Sequence, residues 1–84
     1  MEQGTVVMST AGRDKGYLLC VVGEEDGYVL LCDGKERPLE RPKRKNPRHI
    51  ELLAQLPPIT WELRGNQALR KALNRLKRDM KGGE

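Results

Sequence analysis

The chain has 84 residues, 37% of them hydrophobic and 33% charged, and its only aromatic residues are two tyrosines and one tryptophan. This length predicts a single small domain with an aliphatic core, and no run approaches the roughly 18 apolar residues that a membrane span needs. The net charge is +4, the N-terminus lacks a signal sequence, and two cysteines make no disulfide framework, so we expect a cytoplasmic protein with free thiols.

The first part of the chain predicts three strands joined by tight turns. An apolar strand at residues 4–9 leads into a polar loop at 10–16, and strands at 17–22 and 28–32 pair around an acidic turn. Both strands of this hairpin are apolar on two faces, whereas a simple two-faced sheet alternates. We therefore expect one face to fill a barrel interior and another element to cover the other face.

Two more strands are predicted, with a basic segment between them. Residues 35–39 form a short charged strand and residues 49–53 a final one, although the last segment equally suits a helical turn. Between them, Pro42 and Pro47 bracket a Lys-Arg-Lys cluster. Because proline cannot donate to a strand ladder, we expect an open loop here, with its basic side chains in solvent.

The remainder predicts a linker and a basic amphipathic helix. Pro57-Pro58 ends the barrel at residue 56 and begins a linker at 57–65, which Trp61 is expected to pack onto the barrel. Asn66 is the predicted N-cap of a helix within residues 66–84, whose end is frayed. The apolar side chains lie on one face, which we expect to dock on the sheet; they are Leu69, Ala72, Leu73, Leu76 and Met80.

Charge is divided unevenly along the chain. Residues 1–34 carry a net charge of −4, whereas residues 35–48 carry +5 and residues 64–81 carry +6. Two basic segments beside an acidic one favour a polyanion-binding surface over general solubility.

The segment with Gly12-Arg13-Asp14-Lys15-Gly16 and Val29-Leu30-Leu31-Cys32-Asp33-Gly34 resembles the KOW motif. The resemblance covers roughly residues 3–52 and is to small bacterial KOW-domain RNA-binding proteins, which are similar to KOW-containing large-subunit ribosomal proteins of archaea and eukaryotes. It implies a mainly β fold, here a small SH3-like five-stranded barrel followed by the helix. Many members have a basic residue and a glycine after Lys-Gly, where this chain has Tyr17 and Leu19.

The resemblance and the charge pattern together predict an RNA-binding module associated with the ribosome or translation. It would act as a monomer that docks on structured RNA, ribosomal RNA being the expected partner, beside ribosomal or other translation proteins. The alternative is a protein-interaction adaptor of the transcription or translation machinery that uses the barrel edge or the helix. The predicted RNA contacts are Arg13, Lys15, Arg41, Lys43, Arg44, Lys45, Arg48, Arg70, Lys71, Arg75 and Arg78, and the loop residues are expected to contribute most.

Catalytic chemistry has no basis in the sequence. There is no Ser/His/Asp set and no cofactor motif, and His49 has no partner at metal-ligand spacing. Tyr17 and Tyr28 are interpreted as core or rim residues in preference to base-stacking platforms. We therefore expect a protein that is not an enzyme and needs no cofactor or metal.

Overall fold

A computed structural model describes residues 1–57 and 65–82 as a five-stranded antiparallel sheet followed by a helix. The strands lie in the order β4-β3-β2-β1-β5. This architecture confirms the mainly β class with a C-terminal helix. The elements are β1 (Thr5–Ser9), β2 (Leu18–Glu25), β3 (Tyr28–Cys32), β4 (Lys43–Lys45), a 3₁₀ turn (Pro47–His49), β5 (Ile50–Gln55) and α1 (Gly65–Gly82).

The fourth strand was predicted in the wrong place. Residues 35–37 lie in a turn that the side chain of Asp33 closes, because its Oδ1 accepts hydrogen bonds from the backbone N–H groups of Lys35 (2.8 Å) and Arg37 (2.9 Å). The Asp33 N–H donates to the Arg37 carbonyl at 3.0 Å. Such local bonds satisfy the backbone without a strand partner.

The basic segment between Pro42 and Pro47 is a strand, so the prediction of an open loop was also wrong. Residues Lys43–Lys45 form β4 and pair antiparallel with Val29–Leu31 of β3. The two prolines flank this short edge strand without interrupting it, so neither has to donate a hydrogen bond within the ladder.

Apolar side chains fill both faces of the central strands, as the sequence predicts. One face carries a buried cluster of Val7, Leu19, Val21, Val29 and Leu31. The register of the sheet shifts between Val6 and Val7 and between Val21 and Gly23. Such bulges bend a strand, which favours curvature of the sheet around a buried face.

Helix α1 covers the opposite face, which confirms the predicted docking of the tail. Leu69 and Leu73 of the helix are buried against Val6, Cys20 and Cys32 of the sheet. Helices of this length are marginal alone in water, so this packing accounts for much of the stability of α1. Residues 58–64, which include Trp61 and most of the predicted linker, lie outside the described part of the chain.

Asn66 has a different role from the predicted N-cap. The helix begins at Gly65, so Asn66 lies in its first turn. Its Oδ1 accepts a hydrogen bond from the Leu39 N–H at 2.7 Å, and its Nδ2 donates to Glu40 at 2.7 Å. The side chain therefore ties the start of the helix to the β3–β4 connection.

Gly34 brings the β3–β4 connection against the backbone of α1. Its φ is +83°, which non-glycine residues rarely adopt. A Cβ built on Gly34 would overlap the carbonyl oxygen of Asn66 and lie 3.0 Å from the Arg70 nitrogen. Glycine is thus required here both for its conformation and for the close approach of two backbones.

The Leu73→Ala variant is expected to lose about 2–3 kcal/mol of unfolding free energy, because it leaves a cavity between helix and sheet. Leu73 is only 4% exposed. The matched control is Leu52→Ala, since Leu52 is 61% exposed and its truncation should cost less than about 0.5 kcal/mol. Urea denaturation followed by circular dichroism measures both, and equal losses would contradict the docking of α1.

The two cysteines are free thiols, as predicted, and lie directly opposite each other on β2 and β3. Burial raises the pKa of Cys20 to about 12 and that of Cys32 to about 11. A thiol that stays protonated is a poor nucleophile and a poor metal ligand, so these residues serve the core as small apolar side chains.

Candidate nucleic-acid interface

The loop between β1 and β2 is anchored to β4 by the carboxylate of Asp14. Lys43 Nζ lies 2.8 Å from Asp14 Oδ2, and Lys45 Nζ lies 2.6 Å from Asp14 Oδ1. The Ser9 hydroxyl also donates to Oδ1, at 2.7 Å. Lys45 makes a further bond to the Ala11 carbonyl at 2.8 Å. One carboxylate thereby joins the first strand, the glycine-bounded loop and the edge strand.

The pKa of Asp14 shows that these bonds favour the charged carboxylate. Burial by itself would raise this pKa, but the hydrogen bonds from Lys43, Lys45 and Ser9 outweigh burial and hold the pKa well below its usual range. Asp14 is therefore ionised at neutral pH and forms a partly buried, hydrogen-bonded ion cluster with the two lysines.

The period of the strand explains why the basic residues of β4 differ in environment. Successive side chains of a strand point to opposite faces, and Lys43 and Lys45 lie opposite Leu31 and Val29 of the buried face. Arg44 alternates with them, and its guanidinium lies 4.8 Å from the centroid of the Tyr28 ring. That distance suits a cation–π contact.

Lys45 is consequently not the solvated side chain that the sequence predicts. It is only 8% exposed, because its ammonium group is directed at Asp14 and Ala11. Lys43 is partly exposed and reaches the surface beside Asp14. A substitution of both lysines would therefore disturb the fold as well as any ligand contact. The prediction that all basic side chains of this segment lie in solvent is wrong for Lys45.

Two open clefts lie next to each other on the surface beside this ion cluster. The first has a volume of about 270 Å³ and lies between the start of β2, the β3–β4 turn and α1. Its walls carry Lys35 from the turn and Arg70 and Lys77 from the helix. Arg70, Leu73, Asn74 and Lys77 have helical spacing, which places them on one side of α1.

The second cleft has a volume of about 470 Å³ and lies between the β1–β2 loop, the β3–β4 turn and β4. Its basic residues are Arg13, Arg37 and Lys43. The clefts share three lining residues, which are Tyr17, Asp33 and Glu36. Together they form a polar surface with six basic side chains, which we call the double cleft.

Tyr17 lines both halves of the double cleft and is 54% exposed. This exposure excludes the core, one of the two positions that the sequence predicted for this ring. Tyr17, Lys35, Arg37 and Lys77 were not among the predicted contacts, although the net charge of residues 35–48 and 64–81 pointed to the segments that carry the three basic residues. The turn that Asp33 closes is what brings Lys35 and Arg37 to this surface, and that turn was predicted as a strand.

The predicted RNA contacts divide into three groups. Arg13, Lys43 and Arg70 line the double cleft, whereas Lys45 lies buried and Arg44 packs on Tyr28. The others are exposed but are not among the residues that line it; they are Lys15, Arg41, Arg48, Lys71, Arg75 and Arg78.

Residues 1–57 and 65–82 offer neither a metal site nor a membrane-spanning helix. This part of the chain contains no group of three or more His, Cys, Asp or Glu side chains placed to hold a metal ion. Its helix is not long and apolar enough to cross a membrane. Comparison with protein-family models and with curated proteins finds no match to this chain.

Proposed function

We propose that this protein binds structured RNA through the double cleft, as a KOW-type module of the translation apparatus in the cytoplasm. The observation that carries the proposal is the convergence of six basic side chains from four separate segments on one open surface. Lysine and arginine neutralise phosphates and release counterions, which supplies a large part of nucleic-acid affinity.

The shape and chemistry of the double cleft favour RNA over a small ligand. Sites for small molecules are mostly apolar and enclosed, whereas this surface is open and is lined mainly by charged side chains. Structured RNA is recognised largely through its shape and its backbone, which suits a rigid sheet that presents charges from loops and a docked helix.

The alternative, a protein-interaction adaptor, was predicted to use either the sheet edge or the helix, and the apolar face of the helix is occupied in this fold. The apolar stripe of α1 packs on the sheet through Leu69 and Leu73, so those residues are not available to a partner. The edge strand β5, with its exposed Leu52, is the remaining candidate for protein contacts.

We expect the triple variant Arg13→Gln/Arg70→Gln/Lys77→Gln to bind structured RNA more weakly and to lower the salt dependence of binding by about 2 in log–log slope. The control, Lys71→Gln/Arg75→Gln/Arg78→Gln, also removes three positive charges, but from another side of α1. Binding is measured by fluorescence anisotropy with a labelled RNA hairpin over a series of salt concentrations.

Three results are informative. A larger loss in the double-cleft variant than in the helix control supports the proposed surface. Equal losses would show that binding is spread over the basic surface and would contradict this location. Failure of the parent protein to bind structured RNA would overturn the RNA proposal and favour the adaptor.

A further inference from the structure

Tyr17 has an unusual environment for an aromatic side chain. More than half of it lies in water, although it is placed where two basic clefts meet. The other tyrosine in the described residues, Tyr28, has Arg44 over its ring and lies at the far end of the hairpin. An exposed aromatic ring that lines two clefts with basic residues suits the stacking of a base whose phosphates are bound on either side.

The backbone fixes Tyr17 before any ligand binds. Its N–H donates to the Asp14 carbonyl at 2.9 Å, and its own carbonyl accepts from the Ser9 N–H at 3.0 Å. Asp14 is itself held by Lys43 and Lys45. Stacking on a ring whose backbone is already ordered costs little conformational entropy, which is a general advantage of preorganised sites.

Two of the three acidic residues that line the double cleft indicate where a base would lie; the third, Asp14, is paired with Lys43 and Lys45. Asp33 and Glu36 line both clefts between the basic walls, and a carboxylate repels a phosphate. Oδ1 of Asp33 already accepts two backbone hydrogen bonds, so Glu36 is the better acceptor for a ligand. A carboxylate accepts hydrogen bonds from the N–H groups on the edge of a base.

We propose that the double cleft takes an unpaired guanine, which stacks on Tyr17 and donates its imino and amino protons to Glu36. The flanking phosphates lie over the basic walls, against Arg13 and Arg37 on one side and Arg70 and Lys77 on the other. This inference rests on the proposed RNA function. A base inside a duplex cannot present its face to a protein ring, so the ligand has to be a bulge, a loop or a single-stranded end.

The test compares two RNA hairpins of equal stem length, one fully paired and one with a single bulged guanine. We expect the parent protein to prefer the bulged hairpin by roughly 5- to 100-fold, the range that base–aromatic stacking supports. Tyr17→Ala should abolish this preference and leave the salt dependence unchanged, because stacking releases no counterions. Tyr17→Phe should retain the preference, and Tyr28→Ala serves as the control for loss of a tyrosine.

A bulged adenine in place of guanine tests the contact with Glu36. The parent protein should bind the guanine hairpin more tightly, and Glu36→Ala should remove that difference while the preference for a bulge remains. Equal affinity of the parent for paired and bulged hairpins would overturn this inference and leave the RNA function intact. Failure to bind either hairpin would overturn both.

Discussion

Replacing Gly34 with alanine is expected to lower the free energy of unfolding by about 2–5 kcal/mol. Two costs add. A φ of +83° costs a residue with a Cβ about 1–2 kcal/mol. The new methyl group would also overlap the backbone of Asn66 and Arg70, and overpacking of this kind typically costs about 1–3 kcal/mol.

The control for this variant is Gly27→Ala. Gly27 has the same φ of +83°, but no atom lies within 4 Å of the position that its Cβ would take. Its substitution therefore measures the conformational cost alone. Urea denaturation followed by circular dichroism gives both values. If the two variants were equally stable, α1 would not be seated tightly against the β3–β4 connection.

The second large effect is expected for Asp14→Asn, which should lose about 2–4 kcal/mol at neutral pH. Removing one partner of a buried ion pair leaves the other charge without compensation. Here two ammonium groups would remain close together, and that of Lys45 is nearly inaccessible to water. The loss is smaller than for a fully buried pair, because Lys43 keeps a quarter of its side chain exposed.

The pH dependence of stability identifies the cause of that loss. Folding lowers the pKa of Asp14, so its contribution to stability is complete above the unfolded pKa of about 4. The contribution is lost as the pH falls from there towards the folded pKa. The difference in unfolding free energy between the parent protein and Asp14→Asn should therefore shrink as the pH falls below about 4.

An exposed aspartate provides the comparison. Asp26 lies at the hairpin turn with a φ of +49°, which asparagine also tolerates, so Asp26→Asn should change stability by less than about 0.5 kcal/mol. A loss for Asp14→Asn that stayed constant between pH 7 and pH 2 would mean that shape, and not charge, makes Asp14 important.

The hydrophobic pattern was sufficient to predict most of the fold. Strands β1, β2 and β3 follow from apolar runs bounded by glycine and aspartate, and the helix from its apolar spacing. The presence of apolar residues on both faces of the hairpin also predicted correctly that the tail would cover one of them. Each of these inferences depends on neighbouring residues in the chain, where periodicity is informative.

The fourth strand could not be predicted, because its causes are distant in sequence. A Lys-Arg-Lys segment between prolines has no strand propensity. It pairs with β3, and Asp14, about 30 residues earlier, forms ion pairs with two of its three basic side chains. In the same way, the side chain of Asp33 makes a turn where a short charged strand was predicted.

The candidate site was only partly visible in the sequence for the same reason. Arg13, Lys43 and Arg70 were selected for their charge and they do line the double cleft. Charge alone gave no way to distinguish them from Lys45, whose ammonium group donates hydrogen bonds to Ala11 and Asp14 within the fold. Tyr17 became a candidate only when tertiary packing placed it between two groups of cations.

The position of β1 between β2 and β5 has a consequence for how the chain folds during synthesis. Its pairing with β2 spans a short loop, but its pairing with β5 joins residues roughly 40–50 positions apart, and such contacts form slowly. Until β5 has emerged and paired, β1 exposes an edge that carries Val6 and Val7, which another nascent chain can capture. A chain in which β1 has paired with β2 but not yet with β5 is thus more prone to aggregate than the folded protein.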